Sequence, residues 1–370
     1  MNTNSKEKSH VGKRGIVMVY RMGELFCGPG GLAWGALNAD IGDWNTKIVH
    51  AWANDIDNLT CQTYRHNICK NDYADSVICQ DVRELEISRK NLSDIDAFSF
   101  GFPCNDFSIV GEQKGFDGSY GALYTYGVEV LRTFQPQWFL AENVSGLSSA
   151  NEGFAFKKVL ADLISAGYKV FPHMYKFEEY GVPQARHRII IVGIRDDLSC
   201  DFRPPSTTPY KDVDISVRTA LNNPPIDDMA FNHEIPFMSD KVVERLRYIK
   251  PGQNAFNADM PKDMRLNVKG AKISQIYKRL EPDKPAYTVT GSGGGGTHMY
   301  HYEEDRALTN RERARLQTFP DDYEFFGTRE KVRRQIGMAV PCRGAKVIFE
   351  AVLRTMEGID YESVPCNIKI

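Results

Sequence analysis

The sequence predicts an α/β protein built on an open sheet, interrupted late in the chain by a region of different texture. Three observations point there. Short apolar runs near 16–26, 48–54, 76–79, 98–102 and 137–141 alternate with stretches of helical periodicity, the rhythm of strand and crossover helix. Several of those runs end on a residue capable of chemistry, and open α/β sheets gather their ligands beyond the C-terminal ends of their strands. From Ser199 the alternation stops, because Pro204, Pro205, Pro209, Pro224, Pro225 and Pro236 interrupt any long element.

Taken in order, 16–20 and 23–26 read as one or two strands, and Phe26-Cys27-Gly28-Pro29-Gly30-Gly31-Leu32 as a glycine-rich turn into a helix. Glycine permits positive φ and close backbone approach, and the helix start that follows offers free N–H groups to an anion. The turn lacks both Gly-x-Gly-x-x-Gly and Gly-Lys-Ser/Thr, which argues against a nucleoside triphosphate. The second strand, 48–54, delivers Asp55 at the spacing where an acid meets the two hydroxyls of a ribose; capping of a helix over 58–69 explains it equally well. The third, 76–79, leads to Asp81, which suits an adenine amino group or a turn cap.

The fourth strand gives way at Gly101 and Pro103, placing Cys104 at its C-terminal end. A free thiol has a pKa of about 8.5, so it is a nucleophile only in electropositive surroundings; alone it is most simply a small buried apolar side chain. The polar loop 110–121, with four glycines, reads as a candidate lid, and 124–134 as a helix. Strand 137–141 then delivers Glu142-Asn143-Val144, so a thiol and a carboxyl are offered to one crevice. After a helix over 152–166 and a strand over 169–176, Gln184, Arg186 and Arg188 alternate along an apolar strand and share one face. Cations so placed meet either an anion or a neighbouring acid.

In the interrupted region a helical pattern returns over 239–248. The run Gly291-Ser292-Gly293-Gly294-Gly295-Gly296-Thr297-His298 allows close approach to a phosphate or base, or serves as a linker. A basic helix starts at Thr309, whose spacing to Glu312 fits a capping box. Residues 332–341 lead into an apolar helix reaching about Met356.

Composition narrows the function classes. With 370 residues, 42% of them hydrophobic, the chain can bury a substantial core and fill two domains. No apolar run approaches the roughly 20 residues that cross a bilayer, and the polar stretch 1–14 reads as a disordered tail rather than a leader. The eight cysteines form no Cys-x-x-Cys pair or zinc-like ladder, so reduced thiols in a soluble, cytoplasmic chain are expected, with no membrane partner and no metal. The net charge of -2 hides an asymmetry: over 241–350, Lys and Arg outnumber acids 21 to 14. A surface of that polarity suits a phosphate backbone, although solvated helix faces produce it too.

Phe26-x-Gly28-x-Gly30-Gly31, Asp55, Asp81, Gly101-Phe102-Pro103-Cys104, Glu142-Asn143-Val144 and Gln184-x-Arg186-x-Arg188 are followed by a variable stretch. Then come Arg306-x-Leu308-Thr309-x-Arg311-Glu312-x-x-Arg315-Leu316-Gln317-x-Phe319-Pro320 and Gly337-x-x-Val340-Pro341. In these motifs and their order the chain closely resembles the DNA (cytosine-5) methyltransferases of prokaryotic restriction-modification type, from about Gly23 to Val347.

The resemblance implies a doubly wound, Rossmann-like sheet dependent on S-adenosyl-L-methionine, with a smaller inserted target-recognition domain. Residues 15–198 and 328–370 would form the catalytic and cofactor-binding part, and 199–327 the insert. It implies that Phe26, Gly28, Gly30, Gly31 and Leu32 hold the cofactor, with Asp55 on its ribose and Asp81 and Val82 on its adenine. Ile56 stands where relatives often place an aromatic residue, Pro103 lies beside the cofactor, and Met338 and Ala339 complete the pocket. Ile56, Asn105 and Met338 depart from the family pattern.

Cys104 would add to C6 of a flipped-out cytosine, and Glu142 would hydrogen-bond or protonate N3 from a mostly dry site that raises its pKa. Arg186, with Arg188 behind it, would stabilise the thiolate and hold the base. The implied partner is double-stranded DNA. A cognate restriction endonuclease would act on the same site without contact, and the chain would be a monomer. Arg311, Arg313, Arg315, Arg333 and Arg334 are candidate phosphate contacts, the first three serving equally well to organise the small domain. Competing readings are a cytosine methyltransferase of transfer RNA, a silent DNA-binding relative and a nicotinamide-dependent oxidoreductase.

Overall fold

The computed structural model describes residues 17–70, 74–102, 123–148, 153–266, 274–293 and 296–369. The expected tail, Pro103, Cys104, Asn105 and the candidate lid lie outside the described residues.

Among the described residues nine strands occur in chain order: β1 (Met18–Leu25), β2 (Thr46–Asp55), β3 (Val77–Cys79), β4 (Ala97–Gly101), β5 (Trp138–Val144), β6 (Tyr168–Lys176), β7 (Gln184–Ala185), β8 (His187–Arg195) and β9 (Ala286–Tyr287). Seven of them form one sheet in the order β3-β2-β1-β4-β5-β8-β6. The first five are parallel, and β8 runs antiparallel between β5 and β6. From β1 the sheet grows outward through β2 to β3, then resumes on the other side with β4. The crevice beyond the C-terminal ends of β1 and β4 is therefore a topological switch point.

The central strands carry buried apolar residues on both sides because both faces of the sheet are covered. In β5, Trp138 and Leu140 join the core shared with α1 (Gly31–Leu37) and α9 (Cys342–Glu357), whereas Phe139 and Ala141 join the core under α3 (Tyr124–Phe134) and α4 (Phe154–Ser165). Alternate residues of β8 divide likewise: Ile190, Val192 and Ile194 against Ile189 and Ile191. The helix expected over 58–69 is split into α2 (Asn58–Tyr64) and a π-helical turn ending before Lys70, which takes a left-handed conformation.

A third, smaller core of Leu246, Ile249, Met260, Met264, Ile276, Tyr277, Tyr300 and neighbours lies within 246–307. The region around it contains α5 (Val217–Asn222) and α6 (Asp240–Arg247). It is followed by α7 (Asn310–Leu316) and α8 (Arg329–Met338). Leu308, Leu316, Phe319, Tyr323 and Phe325 belong instead to the core of α1 and α9. The short parallel pair β7–β9 joins the two regions.

Candidate active site

Strand register brings the expected catalytic segments together. Gly101, the last residue of β4, pairs with Glu142 on β5, and a Cβ built on Gly101 would come within 3.3 Å of Glu142 Oε2. The buried Asn143 amide donates to the Phe102 carbonyl at 3.1 Å, and its Oδ1 accepts the Val144 N–H at 2.8 Å. The asparagine thus fixes the backbone where β4 leads into the segment carrying Cys104.

The two arginines occupy places different from those expected. It is Arg188 that meets the carboxylate, with Nε 2.9 Å from Glu142 Oε1 and both side chains largely buried. Arg186 turns into the protein, where Nη1 donates to the carbonyls of Val289 (3.1 Å) and Gly337 (3.2 Å). The reason is a break in the strand. Arg186 falls between β7, which pairs with β9, and β8, which pairs with β5, so the face shared in sequence is divided between two sheets. Burial and the charge of Arg188 push the Arg186 pKa down, with Glu142 opposing them, so it remains within electrostatic reach of the pair.

Gln184 joins the same buried hub. Its Nε2 donates to Leu316 O and Gln317 Oε1, and its Oε1 accepts the Val289 N–H. Gln317 passes the connection to the carbonyls of Ile336 (2.7 Å) and Ala339 (3.1 Å). Reasoning from sequence quoted Gln317 only as part of a motif, yet its amide ties α7 to the segment holding Met338 and Ala339.

At the other side of the crevice the glycine turn is bent through positive φ at Phe26 (55°), Gly28 (56°) and Gly30 (97°). A bulky residue in that region is strained, and such strain concentrates at functional sites. Asp55 binds the turn to the second strand: Oδ2 accepts the Gly28 N–H and Oδ1 the Asp57 N–H, each at 3.0 Å. Burial raises its pKa. The cap of α2 is Asp57, through Thr60 N–H, so helix capping does not account for Asp55. Asp81 does cap a turn, accepting from the Arg83 N–H and guanidinium, and Val82 beside it is buried.

Gly31 lies against the C-terminal segment so closely that a Cβ would sit 2.4 Å from Val340 O, near buried Ala339 and Leu32. A Cβ on Gly28, by contrast, would meet nothing within 4 Å. Ile56 and Met338 are each 64% exposed. Open space above a glycine turn, a carboxylate with lone pairs to spare and two uncovered apolar side chains fit a nucleoside cofactor such as S-adenosyl-L-methionine.

One buried group went unremarked in the sequence. Glu24, just before the turn, is 1% exposed and accepts from Tyr64 Oη at 3.0 Å, and burial pushes its pKa up to about 8. An acid on the buried stretch of β1, next to Leu25, was the available signal.

Residues 20–354 match the model of the C-5 cytosine-specific DNA methylases. The chain belongs to that family. The cytosine methylase is 60% identical over 356 residues to the type II methyltransferase M.BbvI of Brevibacillus brevis, covering 94% of each chain. To the type II methyltransferase M.NgoFVII of Neisseria gonorrhoeae it is 38% identical, covering 94% of this chain and 89% of that one. Among solved structures, a putative DNA modification methyltransferase encoded in an Escherichia coli prophage superposes with a TM-score of 0.70 at 23% identity, over 91% of this chain and 99% of the other. That likeness speaks to the fold, the Rossmann-like sheet of S-adenosylmethionine-dependent methyltransferases. The chain is a DNA (cytosine-5-)-methyltransferase, and family and fold imply S-adenosyl-L-methionine as its methyl donor. No helix among the described residues is long and apolar enough to cross a membrane.

Proposed function

We propose that this enzyme methylates C5 of a cytosine rotated out of one specific duplex sequence, through a covalent bond between Cys104 and C6. The Glu142–Arg188 pair carries the reading: it stands at the C-terminal end of β5, beside the end of β4, where Asn143 anchors the backbone leading to Cys104. Cytosine C5 is too weakly nucleophilic to accept a methyl group unaided. Addition of the Cys104 thiolate to C6 breaks the C5–C6 π bond and makes C5 an enamine carbon. Glu142 meets N3 and takes up the charge displaced there, while Arg188 fixes the carboxyl's orientation and Arg186 adds positive potential from behind. When bound, S-adenosyl-L-methionine supplies the methyl group from its sulfonium. The C5 proton then leaves to a base or water, and the C6–sulfur electrons re-form the ring double bond as Cys104 departs.

In this reading Phe26, Gly28, Gly30, Gly31 and Leu32 cradle the cofactor and Asp55 holds its ribose. Ile56, Asp81 and Val82 flank the adenine, and Pro103, Met338 and Ala339 close the pocket. Residues 15–198 with 328–370 form the catalytic part and 199–327 the target-recognition insert, whose own core lies at 246–307 and whose α7 is anchored on the larger core. The enzyme acts as a cytoplasmic monomer on double-stranded DNA, and protects it from a restriction endonuclease of the same specificity without touching that enzyme. The high identity to a type II methyltransferase supports this setting.

Bisulfite sequencing of DNA from cells expressing the chain will identify the target. A duplex with 5-fluorocytosine at that position should then form a denaturation-resistant adduct mapping to Cys104. Ordinary methylation of the target without any such adduct would overturn the covalent route.

A further inference from the structure

The glycine turn after β1 is fastened at two points, one of them by a residue from near the other end of the chain. Asp55 takes the Gly28 N–H. Further along, the peptide between Pro29 and Gly30 is held at both ends: its N–H donates to the Cys27 carbonyl at 3.3 Å, and its oxygen accepts from Tyr323 Oη. Pro29, Gly30 and Tyr323 are all buried. A peptide engaged at both groups cannot rotate without breaking two hydrogen bonds where water does not replace them. Glycine makes the approach possible. Gly30 has a φ of 97°, and a Cβ on it would stand 2.7 Å from the Tyr323 oxygen.

Tyr323 lies three residues beyond the Pro320 that ends the family motif, and it is itself held firmly. Its ring packs against Phe319 and Phe325, with centroids 4.8 Å and 5.2 Å away. Arg311, a candidate phosphate contact by sequence, is instead fully buried and donates to the carbonyls of Phe231 (2.9 Å), Pro320 (2.8 Å) and Tyr323. The next residue, Glu324, exchanges two hydrogen bonds with the Asn67 amide, at 3.0 Å and 2.8 Å. Burial pushes the Tyr323 pKa up, so the phenol stays protonated and donates.

Packing between two phenylalanines needs only a ring. What the hydroxyl adds, among the described residues, is its bond to the Pro29 carbonyl. We propose that Tyr323 is a positioning residue for methyl transfer, whose hydroxyl sets the Pro29–Gly30 peptide and with it the backbone that receives S-adenosyl-L-methionine. This rests on the reading of Phe26, Gly28, Gly30, Gly31 and Leu32 as the cofactor cradle.

The test is Tyr323→Phe, which keeps the ring and removes one donor. Its matched control is Tyr180→Phe: Tyr180 is equally buried in the same core, and its Oη also donates to a proline carbonyl, that of Pro205, at 3.1 Å. Hydrogen exchange of the cofactor-free enzyme should quicken at the amides of 28–32 in Tyr323→Phe and not in Tyr180→Phe. The Kd for S-adenosyl-L-methionine by calorimetry should rise about 3- to 10-fold in Tyr323→Phe alone, the net worth of one buried hydrogen bond. KM for the cofactor should rise with it, and KM for the duplex should not. Unchanged exchange with an unchanged Kd would overturn this inference and leave the cradle standing. An equal rise of Kd in Tyr180→Phe would also overturn it, since general loosening of the core would then be the cause. Faster exchange at 28–32 with an unchanged Kd would overturn the reading of the turn as the cradle together with the role given to Tyr323.

Discussion

Glu142 and Arg188 hold one another at 2.9 Å in a largely buried corner, so the carboxyl is oriented before any base arrives. Pre-orientation matters because general acid assistance depends on a positioned group within hydrogen-bond reach of the atom whose charge changes. Glu142→Gln keeps the shape and a hydrogen-bond donor but cannot pass a proton or carry a charge. Methyl transfer measured in a single turnover should fall by about 10² to 10⁴, with duplex affinity little changed. An undiminished rate would remove Glu142 from the reaction.

Strand β1 and helix α2 meet through a polar contact inside an apolar layer, Tyr64 Oη donating to Glu24. Burial raises the Glu24 pKa from 4.5 to about 8 even against that hydrogen bond. The sign of the consequence follows from proton counting. Between about pH 4.5 and 8 the folded chain keeps a proton that the unfolded chain has released, so stability from this group falls as pH rises through that window. Glu24→Gln, permanently neutral, should flatten the dependence. Its thermal midpoint should exceed that of the wild type at about pH 8.5 and differ less at about pH 5. Parallel pH profiles for the two proteins would show that Glu24 is ionised when folded.

Across the whole molecule, catalytic strands, cofactor pocket and insert are joined where Arg186, Gln184 and Gln317 distribute hydrogen bonds among 289, 316, 336, 337 and 339. Gly337 is the tightest point of that junction. A Cβ there would lie 2.0 Å from Gly291 N and 2.2 Å from Thr290 C, both backbone atoms that cannot swing aside. Gly337→Ala should therefore part α8 from 290–291 and disturb the carbonyl that Arg186 holds. A loss of stability of about 1–3 kcal/mol is expected from overpacking, with weaker binding of S-adenosyl-L-methionine by calorimetry. A variant as stable and as tight-binding as wild type would deny the junction its importance.

The sequence by itself determined the succession of strands and helices along the chain, the strand ends that carry the candidate site and the resemblance to the family, because these rest on local patterns. Periodicity reports burial, glycine reports backbone freedom, and the spacing of Thr309 and Glu312 sufficed for the capping box that forms at α7. Only the tertiary structure decided which equivalent-looking residues do which task. Asp55 and Asp57 are both acids near a helix start, and just one caps it. Arg186 and Arg188 alternate in sequence, but a strand break sends one to a buried hub and the other to Glu142. Arg311 and Arg315 look like free cations on paper, yet carbonyls from 220–231 and 320–323 take them up inside the protein. Hydrogen-bond partners come from segments distant in the chain, and a linear pattern carries no record of which distant carbonyl a buried donor will find.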